Sequence, residues 1–291
     1  MELNQWADPI DSRKMKIMKT SKIFAIALMC LTVLGLTSCF IKSTSDHNYK
    51  DSKKLGKVVE KEIEVDAFDS IKVEAGAIQV ILLQSEDSLG YSVVARGNEK
   101  CLEQYEVFVE NGTLRAYLKD DHGKLDFHTP RITLTVTIPH LSRAVLSGAC
   151  VLRQDSVFHQ RQTLYVKTMG ASELHFNDLE TDALCLDLSG ASDVLLGKVN
   201  CQGVLEVESS GASDIEGEVT SQCLTARVSG AGDVDLLIHC SSDVMVNASG
   251  AADVKLRGQC ENLKVEANKY SSDVDVDGLE VSGKKDVPGK D

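Results

Sequence analysis

A Gly-Ala pair returns through the second half of this 291-residue chain at Gly148, Gly170, Gly190, Gly211, Gly230 and Gly250, in steps of 22, 20, 21, 19 and 20 residues. The copies read SGAC, MGASE, SGASD, SGASD, SGAGD and SGAAD, and a degenerate seventh, KYSSD, ends at Asp273 without the Gly-Ala pair. Self-similarity at a period near twenty marks a repeat architecture. A unit that short cannot bury an apolar face alone, so its copies must stack.

Alignment on the glycine shows how they stack. Six, four and two places before it stand sets such as Leu184/Leu186/Leu188 and Leu205/Val207/Ser209. Four and six places after it stand Leu174/Phe176, Val194/Leu196 and Val234/Leu236. Period-two alternation on both sides of a turn is the pattern of strands buried on one face. The fold class expected is all-β: a right-handed parallel β-helix with two or three short strands per coil. A propeller is disfavoured, because its blades need units of roughly 40 residues. At the corner, glycine takes the unusual backbone angles, and the neighbouring alanine is expected to stack on its own copies.

Five segments surround or make up the folded part. Residues 1–38 read as an export signal: a basic stretch, RKMKIMKTSK, then an apolar run from Ile23 to Leu36, then Leu-Thr-Ser before Cys39. Residues 1–12 do not look like part of such a signal, so Met15 or Met18 is a candidate true start. Leu-Thr-Ser-Cys resembles a bacterial lipobox, which implies lipid on the Cys39 sulfur and attachment to a membrane, with the outer membrane as the expected location. Residues 39–57 read as a polar tether, and 58–140 as irregular strand-rich coils and a cap. The repeat solenoid is expected over 141–278 and a polar tail over 279–291.

The passages AFDSIKVEAGAIQVIL, ENGTLRAYL, TVTIPHLSRAVLSGA and the SGASDV units resemble the head GIN domain family of putative autotransporter adhesins, over about residues 60–275. The resemblance implies a right-handed β-helix on a secreted or lipid-anchored bacterial surface protein. It transfers no catalytic residue. The departure at Lys269-Tyr270 points to a distorted last coil or a cap.

Chemistry-bearing residues are few and regularly spread. Asp193, Asp214, Asp233, Asp253 and Asp273, with Glu173 at the start, occupy one place in each corner. Such a column can cap its own turns through backbone N–H groups, or hold calcium between coils. A third reading is the polysaccharide chemistry of other β-helices. That reading is disfavoured, because an active site is a local exception to a repeat and no Arg/Lys/His cluster accompanies the column. The only tryptophan, Trp6, lies ahead of the signal.

Seven cysteines follow Cys39 with no CxxC, so no zinc site is expected. Cys240 and Cys260, one period apart, could pair as a disulfide or lie buried as thiols. His122 and His128 with Asp120 and Asp121 are read as a solvated loop in preference to a metal site. No cofactor is expected. The net charge of −13 argues against nucleic acid as a partner. The expected role is a non-catalytic adhesin, binding or structural module whose ligand is a glycan or an envelope or matrix protein; the alternative is a polysaccharide lyase or hydrolase.

Overall fold

The computed structural model describes residues 56–74, 77–86, 90–119, 132–268 and 271–288. The export signal, Cys39, the loop with His122 and His128, and Lys269-Tyr270 lie outside these residues. No helix among them is long and apolar enough to cross a membrane.

Strands, numbered in chain order, begin with β1 (Val58–Ile63), β2 (Ser70–Glu74), β3 (Ile78–Gln84) and β4 (Ser92–Asn98). A single turn of helix, α1 (Glu99–Leu102), precedes β5 (Tyr105–Glu110), β6 (Thr113–Leu118) and β7 (Ile132–Ile138). From there the chain alternates between two sheets. Running into the Gly-Ala corners are β8 (Arg143–Gly148), β10 (Thr163–Gly170), β12 (Ala183–Gly190), β14 (Val204–Gly211), β16 (Cys223–Gly230), β18 (Asp243–Gly250) and β20 (Asn262–Ala267). Running out of them are β9 (Val151–His159), β11 (Glu173–Thr181), β13 (Asp193–Cys201), β15 (Asp214–Ser221), β17 (Asp233–Cys240), β19 (Asp253–Cys260) and β21 (Asp273–Val281). A last short strand, β22 (Lys285–Asp286), pairs with β20.

Each coil therefore holds two strands, and the solenoid is a flattened pair of eleven-stranded sheets. We call them inbound (β22-β20-β18-β16-β14-β12-β10-β8-β2-β6-β5) and outbound (β1-β4-β7-β3-β9-β11-β13-β15-β17-β19-β21). Every pairing in the repeat is parallel, and the glycines 148, 170, 190, 211, 230 and 250 stand in one register column. The apolar columns close between the sheets: Leu184, Leu186, Leu188 and Leu196 are each at most 1% exposed. A buried leucine contributes about 1.5–3 kcal/mol, and stacking extends that gain from coil to coil without a break.

The uneven steps of the repeat have two sources. One is a single extra residue in some outbound strands: β9 sets Asp155-Ser156 opposite Asn177 of β11, and Gly197 of β13 has no counterpart in β15. The other is the second corner, which takes one residue at Asp182 or Gln222 and two at Gln202-Gly203 or Ser241-Ser242.

The N-terminal coils do not stack in chain order. The β2–β3 coil lies directly beneath β8 and β9, and the later β6–β7 coil lies beyond it. Antiparallel strands finish this end, β5 against β6 on one sheet, and β4 against β7 with β1 against β4 on the other. The connection from β7 to β8 must step over a whole coil, and side-chain amides hold it down. Gln160 accepts from Leu141 N–H at 2.9 Å and donates to Leu141 O at 3.0 Å. Gln84 donates to Pro139 O at 3.0 Å and accepts from His159 N–H at 2.8 Å. At the other end the solenoid runs past 278: residues 279–281 complete β21, with Leu279 5% exposed. The expected polar tail is thus shorter than 279–291, because a coil needs its full outbound strand to cover the layer before it.

Candidate functional site: the Gly-Ala corner and the outer faces

The corner is built from backbone contact. All six glycines have positive φ, from 81° at Gly250 to 132° at Gly211, where a side chain is strained. Space forbids one as well. A Cβ on Gly190 would stand 2.4 Å from Gly170 O, and one on Gly230 would stand 2.2 Å from Gly211 O. The sheet ladder passes straight through the turn, with Ala191 N–H donating to Gly170 O at 2.8 Å and Ala231 N–H to Gly211 O at 2.7 Å.

The alanines do not make a crowded column. Ala171, Ala191, Ala212, Ala231 and Ala251 are all exposed. The next residue turns inward instead: Cys150, Ser172, Ser192, Ser213 and Ala252 are at most 1% exposed, and the same place holds Gly232. The positive-φ glycine turns its own inward place out of the core, so three consecutive positions, such as Met169, Gly170 and Ala171, face water before the chain re-enters it. Ser192 shares a 2.8 Å hydrogen bond with Thr168 inside. The sequence carried this signal, since the residue after each Gly-Ala is always small.

Beyond the corner the carboxylates align. Glu173, Asp193 and Asp214 are in register, as are Asp233, Asp253 and Asp273, and all six are exposed. Their backbone N–H groups mostly serve the ladder: Asp193 donates to Ser172 O at 3.0 Å and Asp214 to Ser192 O at 2.9 Å. One carboxylate bond is clear, and it links coils, with Asp233 N–H donating to the Asp214 side chain at 3.3 Å. Partial withdrawal from water pushes the Asp214 carboxyl up from its ordinary value. The Asp233 N–H opposes that shift and the Asp193 charge adds to it. No three Asp, Glu, His or Cys side chains among the described residues are grouped to hold a metal ion.

The cysteines are thiols. Cys101, Cys150, Cys185, Cys201, Cys223, Cys240 and Cys260 are not joined in disulfides. Cys240 and Cys260 follow the register pair His239/Gln259, so they are column neighbours. The Cys240 sulfur lies 3.2 Å from Ser221 Oγ. Burial pushes Cys150 and Cys240 up to about 11 and Cys201 to about 12.

The outer faces carry ion pairs that run between coils. On the inbound face Arg227 meets Glu206 at 2.8 Å and Glu208 at 3.2 Å, and Lys167 bonds Asp187. Nearer the N-terminal end, Arg115 bridges Glu74 at 2.8 Å and Glu110 at 3.0 Å, with its guanidinium carbon 6.0 Å from the Tyr117 ring centre. Lys72 and Arg115 hold the Glu74 carboxyl below its usual range. The outbound face has a shallow open depression bordered by His159, Asp178, Glu180, Lys198, Glu218 and Thr220. There His159 Nδ1 is 3.6 Å from Glu180, and Gln202 donates to Glu180 at 3.2 Å.

With this geometry in place, the family is decided by sequence: the model described as "Putative auto-transporter adhesin, head GIN domain" matches residues 67–236 and 198–285. The chain belongs to this family. Two solved structures share the fold. A putative adhesin from Bacteroides fragilis is 16% identical, with a TM-score of 0.54 over 79% of this chain and 97% of the other. A putative adhesin from Parabacteroides distasonis is 17% identical, with a TM-score of 0.51 over the same shares. No curated protein matches the chain.

Proposed function

We propose that this head GIN chain is an exported, lipid-anchored binding module of the bacterial envelope that presents the outer faces of its solenoid to a ligand and does no chemistry. The observation that carries the reading is the uniform use of ionisable groups. The described ion pairs lie on the outer faces, between neighbouring strands or along one strand, and the acidic column repeats at every corner instead of gathering at one exceptional coil. A general acid or base needs a partner that tunes it toward neutrality. Membership in an adhesin-like family supports an envelope or extracellular location, and the Leu-Thr-Ser-Cys39 ending supports the anchor.

Two measurements test it. Cys39→Ala should move the protein out of the membrane fraction and abolish labelling by radioactive fatty acid; unchanged labelling defeats the anchor. Incubation of the purified chain with pectin, alginate and glycosaminoglycans should yield no products. Product formation that disappears on substituting one residue of the Asp column would turn the module into an enzyme.

A further inference from the structure

The outward aromatic rings are confined to one patch. Among the described residues Phe68, Tyr105, Phe158 and Phe176 are buried, and Tyr91 packs against the same core. The rings that face out, Phe108, Tyr117 and Tyr165, all stand on the inbound face, on β5, β6 and β10. The strands between them, β2 and β8, bring Lys72 and Arg143 to that face, and β6 and β10 add Arg115 and Lys167. From β12 to β20 the same face carries no aromatic, and its cations Arg227 and Lys264 are both taken by glutamates.

Two residues of the patch have no structural duty. Tyr165 is 52% exposed, and its column continues as Cys185, Glu206, Thr225, Met245 and Lys264, so the coil does not require a ring there. Arg143 is its register neighbour one strand away, exposed and without an ionic partner among the described residues. Lys72, Arg115 and Lys167 are all paired. Met169, 36% exposed, stands on the same strand and face beyond Lys167.

We infer that this half-face binds a glycan carrying a carboxylated sugar, which stacks its ring on Tyr165 and presents its carboxylate to Arg143. A tyrosine on a rigid sheet offers an apolar face with a wet edge. A free guanidinium takes a carboxylate through two parallel N–H bonds. Adjacent strands in the hydrogen-bonding direction are about 4.8 Å apart, so the five strands from β5 to β10 span roughly 19 Å, the scale of a short oligosaccharide. A protein partner fits less well, because charged residues are depleted from the cores of such interfaces, whereas here Lys72, Arg115 and Lys167 lie in the middle. The chain's charge of −13 disfavours densely charged polymers, so the carboxylates should be sparse.

The inference rests on the binding-module reading, and the test separates the two. The purified chain is titrated with sialyllactose and sialyl-N-acetyllactosamine, with lactose and N-acetyllactosamine as neutral controls, and probed for capture of fibronectin and collagen. The inference expects the acidic sugars to bind at least 10-fold more tightly than the neutral ones. Arg143→Gln should erase that preference, Tyr165→Ala should weaken both classes at least 10-fold, and Tyr165→Phe should keep binding. Circular dichroism and thermal unfolding should match the parent in all three variants. Acidic-sugar binding that ignores both positions overturns the site and leaves the module reading standing. Capture of a matrix protein that Tyr165→Ala abolishes, without sugar binding, makes the patch a protein interface and also overturns the inference. No binding to any probe overturns both.

Discussion

Ser213 has no room to grow: its side chain is enclosed in the corner column, and a Cβ on Gly232 one coil away would already stand 2.3 Å from its carbonyl oxygen. Ala212, its neighbour, points to water. Ser213→Leu should therefore cost about 1–3 kcal/mol or more by overpacking, while Ala212→Leu should change stability by less than about 0.5 kcal/mol. Equal losses in urea titrations would mean that both places are enclosed. The Ser213 hydroxyl has no hydrogen-bond partner among the described residues, and Ala252 fills the same place two coils on. Ser213→Ala should then be neutral or stabilising by up to about 1 kcal/mol. The buried thiols add a pH dependence. Cys150, Cys201 and Cys240 ionise near 11–12 in the fold but near 8.5 in an unfolded chain. The native state thus holds protons that the unfolded state releases, and stability should fall from about pH 8.5 up to about pH 11. Melting curves across that range check it, and Cys201→Ala should flatten the slope.

An outbound strand begins at its aspartate, and that column is where elements meet electrostatically. The Asp214 carboxyl is raised by withdrawal from water and by Asp193, so its charged form is disfavoured at neutral pH. Protonation stabilises the fold as pH drops through the carboxylate range, and the stabilisation is lost as pH rises. Asp214→Asn should accordingly raise the melting temperature at pH 7, since its amide oxygen can still accept from Asp233 N–H, and the gain should vanish near pH 3. A rise on adding calcium that the same substitution abolishes would assign the column to an ion instead. Much of this element pattern was legible in the sequence. The Gly-Ala steps located every inbound strand end from Gly148 to Gly250, and the period-two sets located the core. Three things were hidden. The alanine and the residue after it are both small in every copy, so their size does not say which one is enclosed, and the crowded column was placed one residue early. The β2–β3 coil lies beneath a later one because long-range pairing, not chain order, fixes stacking. Tyr165 and Arg143, 22 residues apart in sequence, become neighbours only once the register of β8 and β10 is known.

At the scale of the molecule, a stack whose coils touch mainly their neighbours should survive the loss of a whole coil, provided the cut respects the register. Removing Ala212–Gly230 deletes β15 and β16 and joins Gly211 to Ala231, so one Gly-Ala corner replaces another. The flanking coils are suited to meet. Both turn their second corner with two residues, Gln202-Gly203 and Ser241-Ser242, and Leu196 would come to face Leu236 across the outbound sheet. The shortened chain should be soluble, monomeric and rich in strand, and should unfold in one cooperative step at a somewhat lower temperature. Removing only Ala212–Ser221 deletes β15 alone, joins one inbound strand to the next without an outbound strand between them, and should abolish folding. The outcome that defeats the solenoid argument is equal damage from both deletions. That would mean the repeat part is held by contacts spread over many coils and not by successive neighbours.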